Sequence, residues 1–206
     1  IVEKLESLGI PVFVDFSSYE EHPLGRVEWI KLYGALLDKE EVAQGAFDSQ
    51  VKIMELLIKG ERSGKTVAFF FITTNGMVNV RNISDYVPKM IELAGGKYVF
   101  DDLGKGGDYR SSITMQMEEF YNTAKEADYL IYNSTIDGEI ISIEELIQKD
   151  EILKDFKAIQ EGNVWCTTRD MYQQSMSIGV MIEDIYTMLS GNAEKQKDMN
   201  YMYQLR

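Results

Sequence analysis

The sequence predicts an α/β protein built on a parallel sheet of about four strands flanked by helices, preceded by a long helical segment. Two observations carry this. From residue 66 onwards, short apolar runs at 66–72, 97–100, 129–132 and 164–166 alternate with amphipathic helical stretches. That alternation is the order of a parallel sheet with right-handed crossovers. Before it, residues 26–60 carry their apolar positions at helical spacing.

Residues 2–8 read as the end of a helix stopped by Gly9. Pro11 opens a strand over 12–15, and Ser17, Ser18 and Glu20-Glu21-His22-Pro23 are loop. From Arg26, the apolar residues Val27, Ile30, Tyr33 and Leu36-Leu37 share a helical face. Asp38, with Glu41 three residues on, has the form of a capping box. The helix it opens buries Ala43, Ala46-Phe47, Met54 and Leu57-Ile58 and stops at Gly60.

The run 66–72 is continuous and rich in β-branched and aromatic residues, which suits a strand buried on both faces. Ser84 caps a helix with Val87, Met90-Ile91 and Leu93-Ala94 inside, ended by Gly95-Gly96. A short strand at 97–100, a helix over 115–125 and a strand at 129–132 follow. Helical turns at 143–147 and 151–160 end at Gly162, before a strand at 164–166 and a helix over 178–189. The tail, 192–206, is polar and then aromatic, and reads as a docking helix. Ligands bind beyond the carboxyl ends of the strands in such sheets, which selects loops 73–83, 101–114, 133–140 and 167–177.

A chain of 206 residues with 45% hydrophobic content accommodates one core of ordinary size. The longest apolar runs are too short to span a bilayer. A net charge of −13 argues against broad nucleic-acid binding, which needs a basic face. No charged-then-apolar leader precedes the first helix, and the sequence starts at Ile1, which suits a processed or truncated product. Cys166 and His22 are single residues of their types. Together they make a poor zinc site and leave little room for hydrolase chemistry, so Cys166 reads as a packed strand residue and His22 as loop. No metal site or cofactor is expected.

Two stretches imitate nucleotide motifs. Gly60-Glu-Arg-Ser-Gly-Lys-Thr66 is one residue short of a phosphate loop and precedes a strand, so no helix N-terminus follows to hold a phosphate. The loop from Lys105 to Arg110 is glycine-rich, and reads better as a flexible overhang offering Arg110 to an anionic ligand. Asn82-Ile-Ser84 and Asn133-Ser-Thr135 match glycosylation sequons, which are common by chance.

Four pieces together resemble one family. The first is Gly9-Ile-Pro-Val-Phe-Val-Asp-Phe, then His22-Pro-Leu-Gly-Arg-Val-Glu-Trp-Ile-Lys, then Ala35-Leu-Leu-Asp-Lys-Glu-Glu-Val. The second is Ser84-Asp-Tyr-Val-Pro-Lys-Met-Ile-Glu-Leu-Ala-Gly-Gly-Lys-Tyr-Val-Phe100. The third is Met117-Glu-Glu-Phe-Tyr with Ala127-Asp-Tyr-Leu-Ile-Tyr132, and the fourth is Ala158-Ile-Gln-Glu-Gly-Asn-Val-Trp165. In this order they resemble the iron-chelate and cobalamin-type solute-binding proteins of ABC importers, in which a helical backbone joins two Rossmann-like lobes. The resemblance implies that 1–23 is a remnant of the first lobe, 24–62 the interlobe helices and 63–206 the second, Rossmann-like lobe. Nothing in the chain corresponds to the family's leader, lipidation cysteine or the rest of its first lobe.

The resemblance also implies a non-enzymatic role. The intact protein would capture a metal chelate outside the cytoplasm, as a periplasmic protein or cell-surface lipoprotein, and pass it to an ABC permease and its ATPase. Ferric siderophores lead as ligand, with haem and cobalamin behind. Arg81 and Arg110 are the expected ligand contacts, since the arginine fork binds oxygen anions bidentately. Asn79, Tyr109 and Tyr172 would add hydrogen bonds or aromatic walls, and Arg26 would face the cleft from the first-lobe side. Each arginine has a plainer reading as a surface salt bridge. Glu118, or else Glu119, matches the family's exposed glutamate that meets permease arginines, although both also suit a helix start through its dipole. A nucleotide-dependent Rossmann-type enzyme is the competing class, but no glycine-rich turn follows the 66–72 strand. A ligand-sensing adaptor of the same fold is a third.

Overall fold

In a computed structural model, residues 1–105 and 110–206 are described. The order of elements is α1 (Val2–Glu6), α2 (Pro23–Glu28), α3 (Ile30–Leu36), α4 (Glu40–Ile58), β1 (Thr66–Ile72), β2 (Val78–Arg81), α5 (Tyr86–Leu93) and β3 (Lys97–Tyr98). Then come β4 (Ser112–Met115), α6 (Met117–Ala124), β5 (Tyr129–Tyr132), α7 (Ile143–Lys149), α8 (Lys157–Gln160), β6 (Val164–Thr167), α9 (Ile178–Ser190) and β7 (Met202–Gln204). Among the described residues no helix is long and apolar enough to cross a membrane.

Among the described residues the sheet has seven strands in the order β4-β2-β1-β5-β6-β7, with β3 also on β1. The expected parallel core is present: β3, β1, β5 and β6 run in one direction. β2, β4 and β7 are antiparallel additions at the two flanks. β2 and β3 share one edge of β1, β3 beside Thr66 and Val67 and β2 beside Phe70 to Ile72.

The parallel strands are buried on both faces, so both faces need cover. On one, Phe70 meets Phe120 of α6, which stacks on Phe100 and on Phe156, the residue just before α8. Elsewhere α5 packs on α9, and α9 on the long helix α4. Cys166 is buried in β6, as a packed strand residue should be.

Several sequence expectations are corrected. Residues 12–15 form no strand, because no neighbouring strand lies beside them to take their backbone hydrogen bonds. Asp38 does not cap α4: its φ is +58°, in the left-handed region, and Lys39 holds the cap position. Asp85, not Ser84, caps α5, accepting from the Val87 amide. The tail is no helix. Asp184 of α9 accepts from the Asn200 and Tyr201 amides at 2.9 and 2.6 Å, and the chain then pairs with β6 as β7. Both sequon asparagines are buried, Asn82 at 0% and Asn133 at 2% exposure, so neither is open to glycosylation in the folded chain.

Candidate ligand cleft

Three side chains on the early helices hold the preceding loop in place. Arg26 Nη1 donates to the Ser18 carbonyl at 2.9 Å, and Trp29 Nε1 to Glu20 at 2.9 Å. Tyr33 donates to Asp15, whose carboxylate also accepts the Ser17 amide. Those bonds, the Tyr33 one first, hold Asp15 below the usual carboxylate range. Residues 26, 29 and 33 lie on one side of α2 and α3, so the loop is fixed to these early helices.

Across from this loop, β2 ends at Arg81 and α5 begins at Tyr86. Arg81 forms a fork with Asp85, Nε to Oδ1 and Nη2 to Oδ2, both at 2.9 Å. The two side chains are 14% and 4% exposed. Burial opposes the arginine's charge, but Tyr172 and Asp85 outweigh it and raise its pKa further. The Tyr98 hydroxyl bridges the Arg81 amide and carbonyl, each at 2.9 Å. Asn82 makes an Asx turn, accepting from the Ser84 amide and hydroxyl. A side chain at Gly104, where φ is +83°, would collide with Asn82 at 2.3 Å, so that close approach requires glycine.

Between the two walls lies a cleft of about 950 Å³. Ser18, Tyr19, Glu20 and Glu21 line the loop side. Ser84, Asp85, Arg110, Ser111 and Ser112 line the other, from the segment after β2 and from the approach to and first residue of β4. The cleft thus opens beside the antiparallel flank of the sheet; its 110–112 side falls in a segment that the sequence points to, and its 18–21 side does not.

Arg110 lines the cleft itself. Arg81 stands one layer behind it through Asp85, with Tyr172 beneath: the guanidinium lies 5.4 Å from that ring's centroid. Arg26 lies 4.1 Å from the centroid of Tyr86, whose hydroxyl is pushed up to about 12 mainly by burial. Asn79 bonds across β2 and β4 to Ser112 and Thr114 at 3.3 and 3.1 Å. Tyr109 lies outside the described residues. Glu118 and Glu119 are exposed in the first turn of α6. Sequence reasoning missed Asp85, Glu20 and Glu21. The spacing of Arg81 and Asp85, four residues apart, was the available signal. His22 caps α2 through Nδ1, and among the described residues no cluster has the makings of a metal site.

No known family profile matches the chain. Two uncharacterised lipoproteins of Methanocaldococcus jannaschii are similar in sequence, one 27% identical over 98% of this chain and 47% of its own length. The other is 30% identical over 84% of this chain and 44% of its own. The chain therefore spans about half the length of these relatives. Three solved structures share its fold. An ABC transporter substrate-binding protein from Listeria monocytogenes matches at TM-score 0.65 and 18% identity, over 92% of this chain and 72% of its own. An ABC-type Fe3+-hydroxamate transport protein from Saccharomonospora viridis matches at 0.69 and 17%, over 93% and 65%. A periplasmic haem-binding protein of Vibrio cholerae matches at 0.70 and 18%, over 91% and 70%.

Proposed function

From a chain that has the fold of the ABC-transporter substrate-binding proteins, we propose a solute-binding component of an ABC importer that captures a metal chelate outside the cytoplasm. The observation that carries this is the cleft of about 950 Å³ between a loop fixed to the crossover helices and the arginine-backed start of α5. Ferric siderophores are the leading ligands, with haem and cobalamin next. Arg110 contacts the ligand directly. Arg81, Tyr172 and Arg26 shape the wall behind it, with Asn79 and Tyr109 at its margin. The protein performs no chemistry and needs no cofactor. Its partners are a membrane permease with its ATPase, met through Glu118 or Glu119, and no nucleic acid. The lipoprotein names of its relatives support a place at the cell surface or in the periplasm.

In this reading 63–206 is the ligand-binding lobe, 24–62 the helices that join it to another, and 1–23 the last part of that other lobe. The exposed apolar side chains of Phe13, Val14, Phe16, Leu36 and Leu37 support a neighbour packed along the early segment. The test is titration of the chain with ferric siderophores and haem, alongside Arg81→Ala, Arg110→Ala and the double substitution. Affinity is expected to fall about tenfold or more in the double variant, the scale of a lost charged hydrogen bond. Unchanged affinity in the double variant rejects the assignment.

A further inference from the structure

We propose that the cleft selects a chelate with no net negative charge, held through hydroxamate, amide or hydroxyl oxygens, and that the Arg81–Asp85 fork sets this selection. The inference rests on the ligand-binding reading above and narrows its ligand class.

Charge balance is the first argument. Among the described residues, three acids line the cleft, Glu20, Glu21 and Asp85, against the single cation Arg110. Adding the two arginines of the backing, Arg26 and Arg81, makes three cations against three anions. A polyanionic chelate finds no surplus of positive charge there, and it approaches a chain of net charge −13.

Geometry is the second. The Nε and Nη2 donors of Arg81 are directed at Asp85 in a fixed, mostly buried fork. Asp85 is held in turn by the Val87 amide at 3.0 Å, so it cannot swing away without uncapping α5. Separating such a pair leaves a buried charge without compensation, which is costly. A carboxylate or catecholate ligand would have to displace Asp85 to claim the full charge of Arg81. A neutral ligand meets the fork as a dipole and leaves it intact.

The lining chemistry is the third. Five hydroxyl-bearing residues line the cleft, Ser18, Tyr19, Ser84, Ser111 and Ser112; the Ser84 hydroxyl also donates to Asn82, and the Ser112 hydroxyl accepts from Asn79. Hydroxyls both donate and accept, which suits amide and hydroxamate oxygens and ligand hydroxyls. A ferric ion bound by three hydroxamates is neutral overall, whereas the same ion bound by three catecholates is trianionic and haem carries two propionates.

The test uses the unmodified chain and the fluorescence of Trp29, which hydrogen-bonds to Glu20 on the cleft wall. A neutral ferric trihydroxamate, a ferric tris-catecholate and ferric haem are titrated separately. The trihydroxamate is expected to bind at least about tenfold more tightly than either anionic chelate, roughly the effect of one charge at this range in a partly screened site. Equal or tighter binding of the tris-catecholate or of haem overturns the proposal. Asp85→Asn keeps a good helix cap and unmasks the Arg81 charge. It is expected to narrow the preference by roughly tenfold with the circular dichroism spectrum unchanged, and an unmoved ranking removes the fork from the selection. Binding of none of the three chelates has a different meaning: it rejects the ligand-binding reading, and this inference with it.

Discussion

At the scale of single residues, Asp128 shows how one carboxylate closes the lower end of the sheet. It stands immediately before β5 and accepts from the Thr66 amide at 2.9 Å and the Thr66 hydroxyl at 3.0 Å. Lys157 Nζ lies at 2.7 Å. Burial alone would raise its pKa, but Lys157 and Thr66 outweigh that and hold it at about 2. A carboxylate depressed in the fold contributes stability that is present above its unfolded pKa and lost as pH falls through the folded value. Asp128→Asn is therefore expected to cost about 2 kcal/mol in urea unfolding at pH 7, and the gap to the unmodified chain should close as pH drops from about 4 to about 2. A constant gap across that range would mean that the charge is not what matters. The aspartate at the head of β5 was legible in the sequence through its resemblance to a family pattern. Asp85 was not, because the salt-bridge reading of Arg81 named no partner and placed the pair at the surface.

Elements were legible where the physics leaves one reading. β1, β5 and β6 are unbroken apolar runs because both of their faces are buried. β2, β4 and β7 are three or four residues long and lie at the flanks, where polar residues such as Asn79, Ser112 and Gln204 hide the strand signal. Residues 12–15 show the converse: strand-like composition forms no strand without a neighbour. Burial of Gln50 also escapes a pattern built on apolar positions, which carries no signal for a buried polar residue. Its Oε1 accepts the Gly179 amide at 2.9 Å, satisfying a donor in the first turn of α9. A Cβ at Gly179 would meet that oxygen at 2.8 Å and the Gln50 carbonyl at 3.2 Å, so helix packing here requires glycine. Because α9 directly follows the Tyr172 loop, this joint fixes the back of the cleft to α4. Gln50→Leu leaves the amide buried without its acceptor and is expected to lower stability by about 1–3 kcal/mol. Denaturant midpoints measure this directly, and an unchanged midpoint would show that the joint carries no energy.

At the scale of the molecule, the cleft and the docking surface proposed at Glu118 and Glu119 are linked by one strand. Arg110, Ser111 and Ser112 stand at the cleft, β4 carries the chain to Met115, and Glu118 and Glu119 begin α6. At about 3.3 Å per strand residue, β4 spans roughly 13 Å, so the two surfaces are separate yet joined by a short rigid element. Phe120 is buried and Tyr121 half-buried beneath the glutamates, which orients both carboxylates outward at the helix start. A charge at an interface sets orientation and association rate more than affinity, which fits the carrier role proposed above. This separation yields the last prediction. Reversing both charges, Glu118→Lys with Glu119→Lys, is expected to cut chelate uptake by cells at least about tenfold, as for removal of a steering charge, while chelate affinity of the purified protein stays within about twofold because the cleft lies beyond β4. Persisting uptake would dismiss these residues as the docking point, and a parallel collapse of affinity would place them in the binding site instead.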